Sequence, residues 1–213
     1  LTTIGILGTG HVGSSIAKVA IAHGYSVVLS NSQGPETLAG LVKELGPQAR
    51  AATPAEAAAH GDFAVVAVPI AAITQLPAEA LTGKVVIGTT NYFPERDGPI
   101  AALDDGTATV PGILQAHLPA SRVVRAFSMI SAAEMSEDGH PKGDPKRRAL
   151  ALAGDDTDAK RLVSQLYDQL GFDAVDIGGL AESWRLDPGQ AAFVARQDVA
   201  QLTANVANAT RHA

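Results

Sequence analysis

The chain has 213 residues, with 22 Asp and Glu against 16 Lys and Arg, a formal net charge of -6. No basic excess exists to displace counterions from phosphates, so neither nucleic acid nor an anionic membrane is expected as a main partner. There is no cysteine, which removes a disulfide framework, a thiol nucleophile and any Cys-ligated metal, and suits a reducing cytoplasm. The first residues enter an apolar strand without a charged leader or a long apolar run, so neither a signal peptide nor a membrane span is expected. Only 4% of residues are aromatic, and the abundance of Ala, Val, Leu and Ile suits a sheet covered by small-residue helices.

Residues 3–13 read Thr-Ile-Gly-Ile-Leu-Gly-Thr-Gly-His-Val-Gly. Residues 4–7 have the look of a buried parallel strand, and 14–23 repeat apolar residues at helical intervals until Gly24. Between them Gly8, Gly10 and Gly13 take the spacing G-x-G-x-x-G. Gly8 permits a tight turn, Gly10 admits a pyrophosphate to the backbone, and Gly13 lets the helix pack closely, with the anion on the free N–H groups of the helix start. Strand, glycine turn and helix in that order predict dinucleotide binding.

Residues 25–30 form a second strand beside the first. In NAD sites an acidic residue about 20 positions past the glycines grips the ribose 2′-hydroxyl and repels a 2′-phosphate. Here Ser30, Asn31, Ser32 and Gln33 stand in that place, neutral and rich in donors, which favours NADP over NAD. No Arg or Lys accompanies them between Lys18 and Lys43.

A helix at 37–45 and a short strand near 50–52 follow, then a capping box at Thr53 and Glu56 opens a small helix ending near His60. Residues 63–68 are a continuous apolar run, a central strand ended by Pro69, so Val68 and Pro69 should face the nucleotide where the strands end. A fifth strand, 84–88, leads to a polar, aromatic loop from which Thr89 and Asn91 could reach the nicotinamide ribose. A helix near 113–118 and a strand at 122–127 follow, its tip at Ser128 and Met129 pointing into the cleft. Residues 131–148 read as a long polar loop with a basic end at Lys142, Lys146, Arg147 and Arg148, more a solvated face than a steering patch for an acidic substrate. A strand at 149–153, a helix at 157–170 capped by Asp155 and Asp156, and a strand at 171–176 come next. Trp184 is either a packing anchor or a ring that stacks on a planar cofactor. A final helix over 190–211 should align Phe193, Val199, Leu202, Val206 and Ala209.

The fold class expected is α/β: a Rossmann-type, doubly wound, mostly parallel sheet with a small C-terminal helical extension. Residues 1–148 form the dinucleotide-binding domain, and 149–213 complete the sheet and the substrate cleft. The six histidines, at 11, 23, 60, 117, 140 and 212, show no ligand spacing, so no metal site is expected. Catalytic residues are not named by any motif. For a carbonyl or imine substrate the proton donor would be sought at Tyr92, His117 or Ser128.

Gly-Thr-Gly-His-Val-Gly at 8–13, Ser-Asn-Ser-Gln-Gly-Pro-Glu-Thr-Leu at 30–38, Asn-Tyr-Phe-Pro-Glu-Arg-Asp-Gly at 91–98, Arg-Ala-Phe-Ser at 125–128, Ala-Gly-Asp-Asp at 153–156 and Glu-Ser-Trp-Arg at 182–185 together resemble the bacterial branch of the coenzyme F420-dependent NADP oxidoreductase family. That resemblance spans nearly the whole chain. It implies a homodimer that transfers hydride between NADP(H) and the deazaflavin F420, the deazaflavin stacked on the nicotinamide. It further implies Gly8, Thr9, Gly10, His11 and Val12 at the pyrophosphate, Ser30, Asn31 and Ser32 at the 2′-phosphate, and Val68 and Pro69 beside the ribose and ring. Two positions depart from the relatives' pattern: Gln33 stands where Arg is frequent, and Ser128 where Asn or His often ends the cleft strand. Two other readings stay open, an NAD(P)H reductase of a small organic substrate and a non-catalytic NADPH-binding redox sensor.

Overall fold

Apolar runs and helical repeats assemble into one eight-stranded sheet in the computed structural model, which describes residues 2–211. In chain order the elements are β1 (Thr3–Leu7), α1 (His11–Ala22), β2 (Ser26–Ser30), α2 (Ala39–Leu45), β3 (Ala49–Ala51), α3 (Pro54–His60), β4 (Phe63–Val66) and β5 (Val85–Gly88). There follow α4 (Pro94–Asp97), α5 (Ala101–Asp104), α6 (Val110–His117), β6 (Arg122–Arg125), α7 (Ala132–Glu137), β7 (Ala149–Gly154), α8 (Thr157–Gln169), β8 (Asp173–Asp176) and α9 (Val199–Ala207).

The strands lie in the order β3-β2-β1-β4-β5-β6-β7-β8. The first six are parallel. β7 turns antiparallel to β6, and β8 runs parallel to β7. The chain therefore winds outward from β1 through β2 to β3, then restarts on the other side of β1 at β4. That reversal opens a crevice between the ends of β1 and β4, where ligands of such sheets bind. Register brings the ends level: Leu7 pairs with Ser30 and Val66, Val66 with Gly88, and Gly88 with Arg125. The residues that follow these five positions share one carboxyl edge.

Both faces of the sheet are covered, which is why the central strands are apolar throughout. Ile4, Ile6, Leu29, Val65, Ile87 and Val124 pack in the core layer that contains buried residues of α1, α7 and α8. Leu7, Ala64, Val66, Val86 and Val123 pack opposite, with Ile73, Leu81 and Leu114. Among the described residues no helix is long and apolar enough to cross a membrane.

Two expectations are corrected. Residues 131–148 are only in part a solvated loop. Ser131 and Glu134 form a capping box that starts α7, Met135 is buried, and of the basic end Lys142 and Lys146 stay exposed while Arg147 and Arg148 turn inward. Arg147 bonds Asp168 and Asp173 at 2.6 and 2.7 Å, and Arg148 meets Asp138 at 2.9 Å and Glu134 at 3.3 Å. Both guanidiniums leave water because carboxylates and main-chain carbonyls from several elements converge on them.

The helix expected over 190–211 shrinks to Val199–Ala207, started by a capping box of Asp198 and Gln201. Before it the chain is held in an irregular path by tertiary bonds: Ala149 N donates to Gln197 O, and Arg148 donates to Ala195 O. Val194 takes a left-handed φ of 47°. Leu202 is fully buried, while Val199 is 43% exposed, so the expected apolar stripe is interrupted.

Candidate active site

The turn after β1 is shaped by steric necessity. Gly8 has φ 99°, and a Cβ there would stand 2.3 Å from the carbonyl oxygen of Ala67 at the end of β4. A Cβ on Gly13 would stand 1.9 Å from Gly8 O, so α1 rests directly on the turn. Gly10 differs: a Cβ there would meet nothing within 4 Å, leaving open space over the backbone. Gly10 is also the cap of α1, with no side chain satisfying the first N–H groups and no acidic residue in the first turn. His11, Val12 and Gly13 supply those N–H groups, an arrangement suited to an anion.

A groove of about 500 Å³ lies over this turn. It brings together Gly8, Thr9 and Gly10, then Ser30, Asn31, Ser32 and Gln33, and on its far wall Val68 and Pro69. Among the described residues no ionisable side chain lines it. The residues serve it differently. Ser30 is fully buried and its hydroxyl donates to Ile6 O at 3.1 Å, so its side chain ties β2 to β1. Asn31 Oδ1 accepts from Gln33 N and Gly34 N, both at 3.0 Å, while Nδ2 donates to Thr37 at 2.9 Å. That side chain organises the loop. Ser32 and Gln33 are exposed and make no side-chain hydrogen bond among the described residues.

The structure separates the other expected residues from this groove. Thr89 is 5% exposed and donates to Val66 O at 3.2 Å, closing the end of β4. Met129 is fully buried, its sulfur receiving Ala151 N–H. Ser128 is 4% exposed, its hydroxyl accepting from Arg125 Nε at 2.9 Å. The strand tip thus faces the core and not the cleft, because Arg125, Met129 and Phe127 all have buried partners. Asn91 is held from two sides: Nδ2 donates to Ser128 O at 2.7 Å, and Oδ1 accepts from Arg125 at 2.8 Å.

Arg125 was no candidate in the sequence, yet it is fully buried and its guanidinium bonds side chains and carbonyls of the loop after β5, its own strand end and the 183–187 turn. It donates to Asn91, to Ser128, to Ser183 O at 2.9 Å and to Asp187 Oδ1 at 2.5 Å. The adjoining Phe127 has φ 56°, a costly conformation for an aromatic residue. Its N–H donates to the Tyr167 hydroxyl at 2.8 Å, and that hydroxyl donates to Ala151 O. Burial pushes the Tyr167 hydroxyl pKa well up, so it remains a donor.

A second cavity, also about 500 Å³, lies at the loop after β5. Tyr92, Phe93, Trp184, Asp187 and Arg211 line it. Trp184 carries two guanidiniums over its ring, Arg185 at 4.5 Å and Arg211 at 5.5 Å. The 91–98 motif builds this wall from within: Arg96 grips Asp97 and Asn91 O, and Asp97 accepts from Phe93 N. Arg96 holds the Asp97 carboxyl below its ordinary pKa. The three candidate proton donors are committed elsewhere. The Tyr92 hydroxyl donates to Asp104 at 2.7 Å and lies 3.0 Å from Gly98 O, and desolvation, followed by the Asp104 bond, raises its pKa. His117 lies against Leu76 O at 3.1 Å, and Ser128 against Arg125. Asp156 caps α8 through Ala159 N, whereas Asp155 accepts from Leu180 N. Among the described residues no group of three or more His, Asp or Glu is arranged to hold a metal ion; His212 lies outside them.

Residues 3–92 match the family model described as NADP oxidoreductase coenzyme F420-dependent. The F420-dependent NADP reductase of Methanothermobacter marburgensis is 29% identical over 187 residues, which cover 81% of this chain and 82% of that protein. Metalloreductase STEAP3 of Rattus norvegicus is 30% identical over 183 residues, 84% of this chain. The match covers 34% of that relative, so the chain spans about a third of its length. A solved structure of a hypothetical protein from Sinorhizobium meliloti superposes with a TM-score of 0.78 at 28% identity, covering 92% of this chain and 95% of that one. Residues 3–92 are thus similar to the coenzyme F420-dependent NADP oxidoreductase family.

Proposed function

We propose that the protein is an NADP-dependent oxidoreductase that passes hydride between NADP(H) and a deazaflavin such as F420 or a flavin-like ring. The observation that carries this reading is the groove over the Gly8–Gly13 turn, open above Gly10 and free of any carboxylate at Ser30–Gln33. The first N–H groups of α1 hold the pyrophosphate. Ser32 and Gln33 donate to the 2′-phosphate from a loop shaped by Asn31, and Val68 and Pro69 flank the ribose and ring. Bound NADPH supplies the hydride. Ring-to-ring transfer asks the protein for alignment and a dry contact and not for an acid. That agrees with a site whose candidate acids, Tyr92, His117 and Ser128, already have partners.

In this reading residues 1–148 hold the nucleotide and residues 149–213 complete the acceptor's cleft. The protein works as a homodimer in a reducing cytoplasm. Val194 and Val199, 44% and 43% exposed on the C-terminal segment, support a partner there, and light scattering measures the assembly.

The function is tested by mixing the purified protein with NADPH and F420 and following both absorbances. Coupled loss of the two signals is expected. Tight NADPH binding with F420 unchanged would remove the deazaflavin from the reading, and failure to bind NADPH would remove the whole of it.

A further inference from the structure

The chain is poor in aromatic residues, yet four of its nine gather at the second cavity. Tyr92, Phe93 and Trp184 line it, and Phe193 packs edge-on against Phe93 at 6.2 Å between centroids. A cavity of about 500 Å³ walled by rings, Pro94 and Val110 suits a planar body of two or three fused rings. Of the side chains that interrupt its apolar lining, Glu95, Asp187, Gln190 and Arg211, Asp187 is the one fixed by a buried guanidinium. Asp187 sits on the wall with Oδ1 held by the buried Arg125 at 2.5 Å. Oδ2 makes no hydrogen bond among the described residues, and the side chain is 36% exposed. An ionised carboxylate only accepts hydrogen bonds. A ring pressed against it must therefore present a donor, or leave a fixed acceptor without its water.

We infer that this cavity binds a planar N-heteroaromatic ring through the aromatic walls, and that Asp187 Oδ2 accepts a hydrogen bond from a ring N–H of that ligand. Arg125 acts as the positioning residue, fixing the carboxylate through its other oxygen. Reading the ligand as the hydride acceptor rests on the function proposed above; the binding itself does not.

Trp184 is the sole tryptophan and stands in the cavity wall, so its fluorescence reports occupancy without any turnover. The whole protein, saturated with NADP, is titrated with lumichrome, which carries ring N–H groups, and with 1,3-dimethyllumichrome, in which both are methylated. Lumichrome should quench Trp184 saturably, and the dimethyl compound should bind about tenfold more weakly, the worth of a hydrogen bond to a charged group. In Asp187→Asn the guanidinium takes the amide oxygen and turns the NH₂ toward the ligand, so lumichrome should lose the same factor and the dimethyl compound should not. Equal affinity of the two probes for the unaltered protein overturns the role of Asp187, and absence of saturable quenching overturns the site. The unaltered protein decides this even if the variant fails to fold. Transfer to F420, measured separately, shows whether the functional reading fails with it.

Discussion

The nucleotide groove and the junction around Arg125 share one sheet edge but are made of opposite materials. The groove is backbone: glycine contacts, helix N–H groups and neutral side chains, without one charge in its lining among the described residues. The junction is built on guanidiniums taken out of water. Arg125 and Arg148 are fully buried, and Arg147 is nearly so. Each joins segments far apart in the chain: β6 to the 183–187 turn, α7 to residue 195, residue 140 to residue 168. A surface made of main chain can receive an anion because none of its own charges competes. A junction made of charged side chains can hold one geometry, because a guanidinium that loses its partners is left buried without water.

Steric and electrostatic changes should therefore strike the two regions separately. The largest effect is expected from Gly13→Ala, whose new methyl would overlap Gly8 O. α1 must shift off the turn, and NADPH affinity measured by calorimetry should fall by about a hundredfold or more, equivalent to about 3 kcal/mol. Arg125→Met should cost about 3 kcal/mol of unfolding free energy, because Asn91, Ser128 and two carbonyls lose a buried donor. NADPH affinity should change far less, and a parallel collapse of both would show that the two regions are one unit. Tyr167→Phe should cost about 2 kcal/mol in denaturant unfolding by orphaning Phe127 N–H and Ala151 O. A loss below a few tenths would mean that Phe127 does not depend on that hydroxyl.

Gln33→Arg should tighten NADPH about tenfold and leave NADH alone, through a charge-assisted contact to the 2′-phosphate. Equal gains for both nucleotides would place that phosphate elsewhere. The smallest effect concerns acid. The Ser131 hydroxyl, ahead of Arg148, holds Glu134 below its ordinary pKa of 4.5. Its contribution is therefore present above pH 4.5 and lost as pH falls through the lower folded value. Glu134→Gln should flatten that part of the stability profile in acid, and an unchanged profile would assign the acid sensitivity to other carboxylates.

The groove was legible because its causes are local. Three glycines at fixed spacing, a strand before them and a helix after them are enough to position it, and Ser30–Gln33 follow from the strand beside it. Yet residue type did not tell which way a side chain turns: Ser30 and Asn31 are spent on structure, which only their partners Ile6, Gly34 and Thr37 reveal. The junction was not legible. Arg147 and Arg148 read as a solvated basic run because the carboxylates that draw them inward lie up to 26 positions away. Arg125, inside an apolar strand, was the one available signal, since a charge there must be paired. The C-terminal helix was overdrawn because tertiary bonds to β7 at residues 195–197, and not helical period, govern that stretch.

The two outermost strands carry a consequence for solubility. Any open sheet offers unpaired main-chain groups to another copy at its edges. Here β3 is only three residues long with Arg50 exposed at its middle, and β8 begins and ends with aspartate around Ala174 and Val175. A second sheet approaching β8 edge-on meets the Asp173–Arg147 and Asp176–Lys160 ion pairs, charged groups it must strip of water before it can register its first hydrogen bond. The eight-stranded sheet thereby resists stacking into fibres by hydrated charge at one margin and by brevity at the other.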